Sequence, residues 1–169
     1  MAYEKLFKAE PPAIFLTTDE SQAFDDFVSE IQEERIEDDV TIHRLRGTKC
    51  ATSAGFFAEI GAVMQFPLYF GENWDALNDM FYNESWLPGT LFAVTDAHRF
   101  LADEDAKALR NFVELADKCN GFYLKPPYKA SEASDTGFHV LMQAPESERA
   151  GLEKRLKDAG AEFADYEAD

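Results

Sequence analysis

Phe66-Pro67-Leu68-Tyr69-Phe70-Gly71-Glu72-Asn73-Trp74-Asp75-Ala76-Leu77-Asn78-Asp79-Met80 joins the end of one helix to the start of another. Pro67 closes the first, because proline disfavours the helical conformation in the residue before it. Gly71 supplies a position that can take positive φ just before the second helix. Asn73 is a good N-cap, its side-chain oxygen able to accept from an orphan backbone N–H. Trp74, Leu77 and Phe81 then share a face that packs on a sheet, while Asp75 and Asp79 stand one turn apart on a face that can look outward. Two like charges at this spacing weaken a helix by roughly 0.2–0.5 kcal/mol. Asp75, in the first turn, is partly compensated by the helix dipole; Asp79 is not. Either a solvated helix tolerates the cost, or the pair awaits an external Arg, Lys or protonated His. Spacing alone favours the first alternative.

Outward from this segment the chain alternates strand and helix. Val40–Arg46 alternates apolar and polar residues and ends at Gly47, a strand pattern. Ser53 opens a helix in which Phe56, Phe57, Ile60, Val63 and Met64 form one stripe. Nearer the N-terminus, Pro11-Pro12 ends a short polar leader and Ile14–Thr17 reads as a brief buried strand. Asp19 or Ser21 can cap a helix from about Gln22 to Glu34, with Phe24, Phe27, Val28 and Ile31 at helical spacing. Downstream, Trp86–Gly89 is a turn and Leu91–Val94 a strand. A long helix over Asp103–Lys118 buries Ala106, Leu109, Phe112, Val113 and Ala116. Asn120-Gly121 is expected to stop it, Phe122–Leu124 to resume as strand, and Lys125–Gly137 to be loop. Phe138–Met142 is a strand, and Ser147–Ala159 a weakly amphipathic helix ended by Gly160. Such alternation specifies βα units, a mainly parallel sheet and right-handed crossovers.

Acidic residues number 33 against 16 basic ones, a net charge of −17. Direct nucleic-acid binding needs clustered Lys and Arg and is not expected. An acidic globule attracts basic partners, although the same charge also serves solubility. Cys50 and Cys119 match no metal or redox spacing and read as reduced core thiols. With no apolar run of membrane-spanning length and no apolar leader, a soluble, cytoplasmic protein is expected.

The segment from Tyr69 to Asp79 resembles the signature of the barstar family, aromatic-aromatic-Gly-x-Asn-x-Asp-Ala-Leu-x-Asp, with every fixed position present. Trp86-Leu87-Pro88 and the order of elements over about 40–125 are similar as well. The resemblance implies a barstar-like two-layer α/β fold, a small sheet packed against helices. One domain then covers 1–169: a leader at 1–12, a matched core at about 40–125, and additions at 13–39 (strand and helix) and 126–169 (with the last helix). It also implies a proteinaceous inhibitor of the antitoxin or immunity type, whose acidic loop and helix enter the active site of a basic bacterial ribonuclease. Carried over by position, Asp79 would stand in for an RNA phosphate before catalytic Arg and His groups, and Asp75 would pair with a second base. Tyr69 would pack on the catalytic His, with Gly71 and Asn73 against the partner. Glu114 is the best match to a further carboxylate on the long helix, and Trp86 to a tryptophan after the acidic helix. Two departures fall in the segment: Asn78 stands where the family is often aromatic, and Phe70 lacks a hydroxyl.

His43, His98 and His139 lie apart, each on or beside a strand, and read as structural or surface residues. Asp103-Glu104-Asp105 reads as helix N-terminal charge, and Asp135-Thr136-Gly137 as loop. There is no phosphate-cradling glycine loop, GxSxG, HExxH or CxxC. No cofactor or metal is expected, and the free protein is expected to be a monomer. Two alternatives remain: a barstar-fold module for a basic partner that is not a ribonuclease, and an enzyme using Asp75, Asp79 and Glu114 as acid–base or metal carboxylates.

Overall fold

The computed structural model describes residues 2–35, 40–83, 89–122 and 137–167. Five strands, β1 (Ile14–Thr17), β2 (Thr41–Arg46), β3 (Thr90–Thr95), β4 (Phe138–Gln143) and β5 (Phe163–Asp165), form one sheet in the order β2-β3-β4-β1-β5. Every pairing is parallel. Period-two alternation divides the strand side chains between two cores. Ile14, Leu16, Leu45, Phe92, Val94, Phe138, Val140 and Met142 face α2 (Ser53–Val63), α3 (Trp74–Asn83), α4 (Ala106–Phe122) and α5 (Glu146–Asp158). Phe15, Leu91, Ala93 and Leu141 face α1 (Ser21–Glu34) and the 3-10 turn Ala2–Leu6. The expected sheet-and-helix core is present, and the N-terminal strand and helix insert β1 between β4 and β5 and cover the second face.

Several local expectations are corrected. The first residues are no polar leader, since Leu6 and Phe7 are buried in the second core. Neither Asp19 nor Ser21 caps α1: its N-cap is Glu20, without a side-chain bond, and Asp19 instead accepts from Thr17 Oγ1 at 2.8 Å. Helix α4 starts at Ala106, later than read from the sequence, with Asp105 Oδ1 accepting from the Lys107 amide at 3.0 Å. Glu104 does serve a helix start, but that of α2, accepting from the Ser53 amide at 2.7 Å. Helix α4 also runs through Asn120-Gly121 to Phe122, so Phe122 opens no strand. The reason is tertiary: buried Asn120 donates to the carbonyls of Phe138 (2.9 Å) and Glu10 (3.2 Å), tying the last turn to β4 and the N-terminal segment. Strand β5 had no sequence pattern and exists through its pairing with β1. The readings at Tyr123, Leu124 and 125–136 lie outside the described residues, as does Trp86.

Candidate partner-binding site

Packing fixes the rotation of α3. Trp74 lies against Phe56 and Phe57 of α2, ring centroids 5.5 and 5.1 Å away, and Leu77 and Phe81 are buried in the core between sheet and helices. With that face inward, Asp75 and Asp79 are both exposed. Among the described residues neither belongs to an ion pair. Among the described residues no ion pair offsets the like-charge cost, which leaves the helix dipole at Asp75 as its compensation.

Asn73 starts the helix as its chemistry suggests. Its Oδ1 accepts from the Ala76 amide at 2.8 Å, and its Nδ2 donates back to the Gly71 carbonyl at 3.0 Å. The amide therefore locks the loop onto the first turn. Just before α3 the left-handed backbone falls on Glu72, with φ 49°, and not on Gly71. Gly71 matters for space: a Cβ there would press on Asn73 Nδ2 and Ala76 Cβ, at 3.1 and 3.3 Å.

The two loop aromatics part company. Phe70 turns inward onto Phe66 and Phe57, centroids 4.9 and 6.4 Å away, over the open face of Gly61. Its missing hydroxyl suits that apolar seat. Tyr69 turns outward and is 78% exposed. Beside it Leu68 is fully exposed, a contact candidate that sequence reasoning passed over. The available signal was an apolar residue after Pro67 in a loop with no periodicity to bury it.

Across from α3, helix α4 presents Lys107, Asn111, Glu114 and Lys118 on one stripe. Together with Asn73, Trp74, Asp75 and Asn78 they line an open groove of about 440 Å³. Glu114 thus comes to the same site as Asp75, from 39 residues away in sequence. Asn78 is half-buried and donates to the Trp74 carbonyl at 2.9 Å, so its amide is engaged by its own helix. The structure gathers Tyr69, Gly71, Asn73, Asp75, Asn78, Asp79 and Glu114 around one loop, helix and groove. Phe70 is placed beneath that surface.

Other locations offer less. In an open parallel sheet a small ligand belongs at the carboxyl ends of adjacent strands whose connections leave in opposite directions. Here those strands are β1 and β4, and the crevice is plugged. Fully buried Gln143 donates to the Asp19 carbonyl and accepts from the Asp96 amide, both at 2.9 Å. The turn after β1, Thr18-Asp19-Glu20, contributes acid where a phosphate would need donors. Burial lowers the pKa of His43 and of His139 from the usual imidazole value. It pushes both the Cys50 and the Cys119 thiol up to about 12. Among the described residues no three His, Cys, Asp or Glu side chains are placed to hold a metal ion.

The class defined by this geometry is a parallel α/β protein whose candidate site is an exposed loop and helix carrying two carboxylates and a tyrosine. The chain belongs to the Barstar (barnase inhibitor) family, whose model matches residues 40–167. The match runs past the residues that carry the motif, through β4, α5 and β5. No curated protein matches. Among solved structures, the chain is similar to the Aeropyrum pernix ORC2 protein described in its ADPNP–ADP complexes. The identity is 12% and the TM-score 0.56, with 94% of this chain and 42% of that one covered. The chain thus spans less than half of that protein's length, and the likeness is one of fold alone.

Proposed function

We propose that this chain is an inhibitor of the antitoxin or immunity type that binds a basic bacterial ribonuclease and occupies its active site with Leu68–Asp79. The observation that carries this reading is the exposed pair Asp75 and Asp79. Their carboxylates lie one helical turn apart, without a cationic partner among the described residues, on a helix whose inner face and N-cap are fixed by packing. Two carboxylates spaced one turn apart on a packed helix can take the place of RNA phosphates before cationic catalytic groups, because the backbone ordering cost is already met in the fold. Tyr69 adds an aromatic anchor beside them and Glu114 a third carboxylate across the groove, the combination of aromatic and charged groups that dominates interfaces.

The plugged strand-end crevice supports a binding protein over an enzyme working at the sheet. Asp75, Asp79 and Glu114 do not belong to any metal-holding group among the described residues. The cytoplasm is the proposed location, where two buried thiols remain reduced, and a monomer the proposed free state. The test is titration of RNA cleavage by a barnase-type ribonuclease with the wild type and with Asp75→Ala/Asp79→Ala. Stoichiometric inhibition lost in the double variant is expected. Equal inhibition by both proteins would remove the acidic helix from the mechanism.

A further inference from the structure

We infer that Lys107 and Lys118 of α4 set partner specificity by rejecting ribonucleases whose basic surface extends beyond the catalytic centre, an inference that rests on the inhibitor reading above. The groove is not uniformly anionic. Its α3 wall carries Asp75, whereas the α4 stripe runs Lys107, Asn111, Glu114, Lys118, at spacings of four, three and four residues that keep one helical face. Both lysines are exposed, and among the described residues neither forms an ion pair. Glu114 precedes Lys118 by four residues, the favourable orientation for an intrahelical pair, yet the two make no ion pair. Lys107 sits in the first turn of α4, where the helix dipole disfavours a cation. These ammonium groups are therefore left facing whatever docks on the groove.

A partner that places its cationic centre over Asp75 and Asp79 must lay its flank over α4. If that flank is neutral or acidic, the lysines are accommodated or paired. If it is basic, like charges meet and the encounter is slowed. Charges at the edge of an interface act chiefly on the association rate, and their effect disappears with added salt.

The experiment measures association of a barnase-type ribonuclease with a basic active-site rim. The proteins are the wild type, Lys107→Gln/Lys118→Gln, Ala23→Glu/Gln32→Glu and Asp79→Ala. The second and third make the same change in net charge, one in the groove and one on exposed positions of α1 across the sheet. The expected result is an association rate raised on the order of tenfold at low salt for the groove variant, the lower end of electrostatic steering. The α1 variant should change little, and the gain should vanish at 1 M salt, where the screening length is about 3 Å. Binding by the groove variant alone would also support the inference. Equal gains in both variants would make net charge the cause and overturn it, as would no gain or a loss in the groove variant. If Asp79→Ala loses binding while the lysine variant gains nothing, only the specificity inference fails. If Asp79→Ala binds like the wild type, or no protein binds, the inhibitor reading fails with it.

Discussion

Asp79→Asn should stabilise the free protein while loosening its complex. Asp79 is exposed, lies beyond the first turn of α3, and has Asp75 one turn before it with no cation paired to either among the described residues. Removing its charge relieves a like-charge pair worth about 0.2–0.5 kcal/mol. Asn and Asp have similar helix propensities, so little is subtracted for the exchange. For a chain of this length 1 kcal/mol moves Tm by about 2–4 °C, which gives an expected rise of roughly 0.5–2 °C at low salt. The rise should fade as salt screens the pair. In the complex the same substitution leaves desolvated cations on the ribonuclease without their partner, a loss of about 2 kcal/mol or more, hence a dissociation rate at least roughly thirtyfold faster. Thermal unfolding at two salt concentrations and the dissociation rate of the ribonuclease complex test both halves. A Tm drop of several degrees would mean that the carboxylate serves the fold. A Tm rise with unchanged dissociation would place the hot spot elsewhere.

Asn73→Ala should cost about 1 kcal/mol through loss of the α3 N-cap, whereas Asn73→Asp, which keeps the acceptor for the Ala76 amide but loses the donor to the Gly71 carbonyl, should lose less; matching losses in the two variants would argue against the cap. Burial lowers the folded pKa of His139, so the unfolded chain takes up its proton first as pH falls. Stability is thus fully present above the unfolded value near 6.5 and declines below it. Denaturant unfolding between pH 7 and 5.5 should show a shallower decline for His139→Gln, with half-buried His43 contributing slope in the same direction. Cys50 and Cys119, buried and with thiols at about 12, should resist alkylation at pH 8 until the chain is unfolded, as mass spectrometry of the labelled protein would record.

Elements with their own periodicity were legible in the sequence. The stripe Phe56-Phe57-Ile60 located α2, the alternation of Val40–Arg46 located β2, and Asn73 marked the start of α3. Elements made by distant partners were not. Three residues at Phe163–Asp165 become a strand only because β1 offers an edge, and nothing in their sequence announces it. Helix α4 overrides the Asn120-Gly121 stop because the Asn120 amide is used by carbonyls of residues far along the chain. The acidic pair was visible from spacing alone, since i and i+4 always share a helix face. The groove was only half visible: nothing local to α4 says that Glu114 sits opposite Asp75, or that Lys107 and Lys118 frame it. Leu68 escaped notice because loops carry no period from which exposure can be deduced.

The position of β1 has a consequence for biosynthesis. Ile14 pairs with Val140 and Phe163, so β1 waits for partners made more than a hundred residues later in the chain. At 5–20 residues per second that interval is roughly 6–30 s on the ribosome. Throughout it the apolar residues Ile14, Phe15 and Leu16 lack the strands they pair with in the fold, and an unpaired apolar strand is open to pairing with other chains. Asp19, Glu20, Asp25 and Asp26 follow at once. Flanking charge of this kind acts as a gatekeeper against such pairing, so the acidity around the start of α1 serves the nascent chain as well as the folded surface.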